Sequence, residues 1–195
     1  MTELAVALFT AFLAGPQPYY PPGRCPETGA ERAERGAVIA LAIDAETRDA
    51  DEWAPGWSRG DWAWAAFVKM SAESRFFAIE VHDGRARGDN GRSVCLGQIM
   101  GGGERLVGTD YASTRRCVHE VLRHMQLHRE RCRVRRATPT GIARVFAGYG
   151  TGHSCDPDFV SRHGGGRFAR RRAAEWALLS SAARAHSGGH HSGGQ

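Results

Sequence analysis

The chain has 195 residues, 42% of them hydrophobic and 24% charged. That is the size and composition of one globular domain of usual size, with room for an appended tail, able to bury a core. The formal net charge of +5 rests almost entirely on arginine, Lys69 being the only lysine. A basic surface suits a polyanion, but no aromatic-interleaved basic motif accompanies it, so no nucleic-acid partner is expected.

Leu4 to Leu13 is an apolar run too short to span a bilayer, and no stable membrane insertion is expected. Glu3 stands where a signal peptide wants positive charge, and no Lys or Arg precedes Arg24. An amphipathic or buried helix ended by Gly15-Pro16 is the expectation, followed by a Pro- and Tyr-rich connector. Residues 1–28 form this N-terminal part, residues 29–185 the main domain, and the Gly/His/Ser-rich residues 186–195 a flexible tail.

Gly29 to Thr47 reads as a helix with Val38, Leu41 and Ala42 at helical spacing. After a polar loop containing Pro55-Gly56, Asp61 is a candidate N-cap for a helix running through "DWAWAAFVKMSAESRFFAIEVH". A Gly/Asp/Asn loop at 85–92 leads into "SVCLGQI", a short strand, and then into three glycines. Asp110 caps a long helix with Cys117, Val121, Met125 and Gln126 along one side. Another helix runs from Pro139 to Tyr149 and ends at Gly150 and Gly152, and a last one follows a Gly-rich linker. The class is mainly α with a small loop and strand segment.

Of five cysteines, Cys95, Cys117, Cys132 and Cys155 fall within one stretch that suits two disulfides in an oxidising compartment. Their pairing stays open, and Cys25 is the odd one out. His153, Cys155 and His163, with Asp156 and Asp158, match no common zinc spacing, so neither metal nor cofactor is expected. His119, His124 and His128 fall on different faces of the long helix and are expected to be solvated. So are the arginines at 170–172, and His190-His191 belong to the tail.

Ala66, Met70, Glu73 and Phe77 share one helical face, which makes Glu73 the polar member of an apolar stripe. Desolvation there disfavours the charged form and suits a general acid near neutral pH. The same spacing suits a carboxylate at the stripe's edge that pairs with Arg75 or a distant arginine.

Glu73-Ser74 at the end of an apolar helix, then "LGQI" at Leu96–Ile99, then "GYGTG" at Gly148–Gly152 resembles the signature of soluble lytic transglycosylases and goose-type lysozymes. The resemblance covers roughly residues 30 to 180. It implies an α+β lysozyme-like fold whose partner is the peptidoglycan glycan strand, cut at the β-1,4 bond after N-acetylmuramic acid. In that family Glu73 matches the acid and Ser74 the serine that orients acid or sugar. Gly97 and Gln98 match the substrate-lining segment, and Tyr149 the tyrosine that closes over the glycan. Two positions depart from the pattern: the methionine before the glutamine is Gly97 or Leu96, and the asparagine after the tyrosine is Gly150.

Asp89 in "GDNG" resembles the second carboxylate of goose-type lysozymes, which activates water in hydrolysis. Asp83 is the fallback. A transglycosylase needs no second carboxylate, since the sugar's own 6-hydroxyl attacks, and Asp-Asn-Gly is also plain turn chemistry. The resemblance implies a cell-envelope or extracellular site of action, bacterial or phage-delivered. The alternative is a lysozyme-like glycan-binding or structural protein that cuts nothing.

Overall fold

The computed structural model describes residues 1–18, 20, 26–49, 55–159 and 165–187. Its described part is mainly helical. The helices are α1 (Glu3–Ala14), α2 (Gly29–Glu46), α3 (Arg59–Glu73), α4 (Ile79–His82), α5 (Tyr111–Arg131), α6 (Pro139–Thr151) and α7 (Gly165–Ser187). Two short strands, β1 (Ser93–Val94) and β2 (Ile99–Met100), pair antiparallel with Ser93 opposite Met100 and Val94 opposite Ile99. Cys25, His163, His190 and His191 lie outside the described residues.

α3 is the centre. Every residue from Trp62 to Ser71 is buried, including Lys69. A helix apolar nearly all round has to be wrapped on every side, and α7, α5, α2 and α1 supply the wrapping. Its start differs from the expectation. Ser58 is the N-cap, its hydroxyl accepting from the Asp61 N–H at 3.1 Å while the Asp61 carboxylate accepts from the Ser58 N–H at 2.9 Å. Asp61 is therefore the reciprocal member of a capping box three residues inside the helix.

α1 is packed into the same core as the helices that follow. Leu8 and Phe12 are buried, and the Phe12 ring lies over Gly36, where a Cβ would come within 2.5 Å of its Cδ1. The Thr2 hydroxyl donates to Asp44, a fully buried carboxylate that also receives Arg59 and Arg48. One acid thus ties α1, α2 and α3 together. Buried carboxylates need such partners.

The expected helix through residue 82 ends early, at Glu73. Arg75, Phe76 and Phe77 adopt left-handed backbone, with φ of 53°, 63° and 59°. L-residues enter that region only at a cost, and α4 begins after it. The "SVCLGQI" segment folds as a hairpin: β1, a turn through Cys95–Gln98, then β2.

Cys95 bonds Cys117 and Cys132 bonds Cys155. The first ties the hairpin to α5, and the second ties the end of α5 to the segment after α6. Two disulfides fit an oxidising compartment. Among the described residues, no helix is long and apolar enough to cross a membrane.

Candidate active site

Glu73 is the last residue of α3, where the central helix emerges from the core. Its side chain is 29% exposed, and its Oε1 lies 2.5 Å from Nζ of Lys69, which is only 7% exposed. The expectation of a desolvated acid on an apolar stripe is corrected on two counts. The carboxylate reaches solvent, and it has a counter-ion one turn back rather than Arg75, which is exposed. An ammonium there also offsets the negative end of the helix dipole that Glu73 faces.

Ser74 directs its hydroxyl into the backbone. It donates to the Met70 carbonyl at 2.6 Å and accepts from the Phe77 N–H at 2.9 Å, and the residue is fully buried. Both bonds hold the left-handed turn shut. Ser74 therefore holds the backbone that follows Glu73.

The hairpin and α6 meet beside this turn. The Tyr149 hydroxyl donates to the Gly97 carbonyl at 2.8 Å. Gly97 has to be glycine: a Cβ there would lie 2.2 Å from Val121 Cγ2 and 3.1 Å from the tyrosine oxygen. The Tyr149 ring centroid is 4.5 Å from Lys69 Nζ, a cation–π distance. Burial, with the charges of Glu73 and Glu120, pushes the phenol well above its ordinary range, so it donates at any physiological pH. Gln98 is half-buried, with φ of 49°, and its amide donates to the Cys95 carbonyl at 3.1 Å. Its Oε1 lies against Gly88, where a Cβ would come within 2.3 Å. The glutamine thus fastens the 88–98 loop.

His128 corrects the expectation of a solvated histidine. It is buried under Gly148, where a Cβ would approach its Nδ1 to 2.8 Å, and His124 is half-buried above it. Both rings lie near Tyr149, at 6.3 and 6.0 Å between centroids. Burial above all, with nearby His124, Arg131 and Lys69, pushes His128 down to about 4. Burial and Arg123 also lower His124. The two imidazoles are neutral near pH 7, which leaves Lys69 as the cation that faces Glu73.

Asp89 lies in the loop that precedes the hairpin. It is exposed, with φ of 49°, in the turn at Asp89–Gly91, and its carboxylate accepts from the Ser93 hydroxyl. None of its contacts reaches Glu73. Asp83, the fallback, is taken by Arg85. Cys155 is committed to its disulfide, Asp158 pairs with Arg170, and His153 stands against the Phe159 ring.

The structure thus brings Glu73, Gly97 and Tyr149 into one place, and Asp89 bonds Ser93 in the loop before the hairpin. Lys69, His124 and His128 belong to the site and were not expected there. Lys69 carried one signal in the sequence, as the single lysine of an arginine-rich chain, four residues before the acid. Compared with protein-family profiles, with curated proteins and with solved structures, the chain has no significant match.

Proposed function

We propose that the protein is a peptidoglycan-cleaving muramidase of lysozyme-like fold, with Glu73 as its general acid and base. One observation carries this reading. The three segments on which the family resemblance rests, far apart in sequence, converge around one half-exposed carboxylate. Glu73 ends the central helix, Ser74 locks the turn after it, and Tyr149 closes on Gly97 across 52 residues.

Cutting a glycosidic bond requires a proton delivered to the leaving oxygen while positive charge builds on the sugar. Glu73 is the group placed to deliver it, and the Gly97 backbone and Tyr149 form the wall beside it. Hydrolysis would need a second carboxylate to activate water. Asp89 is engaged by the Ser93 hydroxyl in a turn, and we favour the lytic transglycosylase route, which needs no second carboxylate. In that route the 6-hydroxyl of the muramic acid attacks, and Glu73 first gives and then takes a proton.

The Lys69–Glu73 ion pair favours a second reading, because it engages the carboxylate that the chemistry uses. In that reading the protein binds wall glycan and cuts nothing. Glu73→Gln separates the two. Enzymatic action requires that the variant lose lysis of purified wall while still sedimenting with it. A wild type that sediments with several wall types and never clears them establishes the binding protein.

A further inference from the structure

Lys69 and Gly150 face each other across the site. A Cβ built on Gly150 would meet Lys69 Nζ at 3.7 Å. At that distance a Cβ is in ordinary van der Waals contact with the ammonium, so position 150 borders Lys69. Gly150 is exposed, and the Lys69 side chain beside it is 7% exposed.

The ammonium itself is tightly held. It lies 4.5 Å from the centroid of Tyr149 and 5.9 Å from that of Phe146, with its stem in the core. It has three N–H donors, and among the described residues Glu73 is its one carboxylate partner. Burying a lysine costs free energy unless the charge is matched, and a flexible surface arginine would have balanced Glu73 more cheaply. The arrangement makes sense if the cation has to stay where it is.

We propose that Lys69 is the positioning residue of this site: held against the Tyr149 ring, it aims Glu73 through the ion pair and turns its remaining donors to the oxygens of a bound sugar. This rests on the reading of Glu73 as the functional carboxylate. Lys69 acts on the reaction through Glu73, and Gly150 borders it.

The only lysine in the chain is a ready probe. Full-length protein isotope-labelled solely at lysine gives one side-chain ammonium signal in NMR, that of Lys69. The expected result is that Glu73→Gln and Gly150→Asn each move this signal, and that soluble N-acetylglucosamine tetramer moves it saturably in the wild type. On purified peptidoglycan, Lys69→Met is expected to lower kcat by about 100-fold, the penalty of a misaimed catalytic group, with little change in KM. Lys69→Arg, which keeps the charge, recovers part of the rate. A Lys69→Met protein that cuts as fast as wild type overturns the proposal, as do Met and Arg variants that fail equally. Should the wild type release no product, the enzyme reading fails by itself and the NMR arm decides. There, a Lys69 signal indifferent to Glu73→Gln and to the tetramer overturns the positioning role, and a signal that responds to both sustains it.

Discussion

The Tyr149 hydroxyl and the Gly97 carbonyl, 52 residues apart, share a 2.8 Å hydrogen bond that joins α6 to the hairpin. Each residue has further contacts beside it. The tyrosine ring holds Lys69, and the glycine admits Val121. Removing the hydroxyl by Tyr149→Phe leaves a buried carbonyl without its donor, which costs about 1–3 kcal/mol. Urea denaturation of this variant should show that loss with an unchanged m-value. An unchanged midpoint contradicts the latch.

Gly97→Ala should be worse than its one added methyl suggests. The new Cβ meets a buried valine at 2.2 Å and the tyrosine oxygen at 3.1 Å. Overpacking of this kind costs about 1–3 kcal/mol, and it pushes Tyr149 off the carbonyl. The variant is expected to lose both stability and wall lysis. Retention of the wild-type melting temperature would mean that the hairpin moves freely against α5.

The turn after Glu73 depends on Ser74. Three consecutive left-handed residues carry a backbone cost that its hydroxyl helps to offset. Ser74→Ala removes the bond to the Phe77 N–H and leaves a buried donor unmet, at about 1–3 kcal/mol. Ser74→Thr, which keeps the hydroxyl, serves as the control. Equal stability of the two variants would show that the turn stands without the hydroxyl.

Acid should weaken the fold through two buried histidines. His82 is fully buried with its Nε2 against the Thr114 hydroxyl at 2.9 Å, and burial, followed by the Arg35 charge, pushes it down to about 3. The unfolded chain binds a proton there near pH 6.5 and the folded chain does not. The stabilisation is therefore complete above pH 6.5 and falls as the pH drops from there towards 3. For His82 the slope approaches about 1.4 kcal/mol per pH unit, and His128 adds in the same direction. Denaturation midpoints at pH 7, 6, 5 and 4 should fall steadily in the wild type and more shallowly in His82→Asn. Parallel curves would remove His82 from the account.

Deleting residues 1–15 should collapse cooperative unfolding. Leu8 and Phe12 are core residues, and Thr2 is a partner of buried Asp44. Truncation exposes the groove over Gly36 and strips one donor from a buried carboxylate. A truncated chain that melts like the full one would show α1 to be dispensable.

Much of this framework was legible in the chain. Asp110 and Gly152 cap helices by rules that act over a few residues, and the cysteines between 95 and 155 formed two disulfides. The left-handed turn was not legible, because "ESRFF" contains no glycine to announce it; Ser74 and packing of Phe77 against Phe12 and Phe67 impose it from outside. The boundary at Ser58 was missed because a capping box offers two acceptable cap residues three apart. Lys69 was missed at the site because periodicity places it on a buried helix face without saying what meets it there. His128 was missed for a related reason: only the close approach of Gly148 takes it out of water.

The most direct test of the central claim is mass spectrometry of the products released from purified peptidoglycan, with Glu73→Gln beside the wild type. The account predicts muropeptides with 1,6-anhydro ends from the wild type and none from the variant. Reducing ends in their place would bring Asp89 back as water activator. No product from the wild type on any wall, or the same products from both proteins, would contradict Glu73 as the acid.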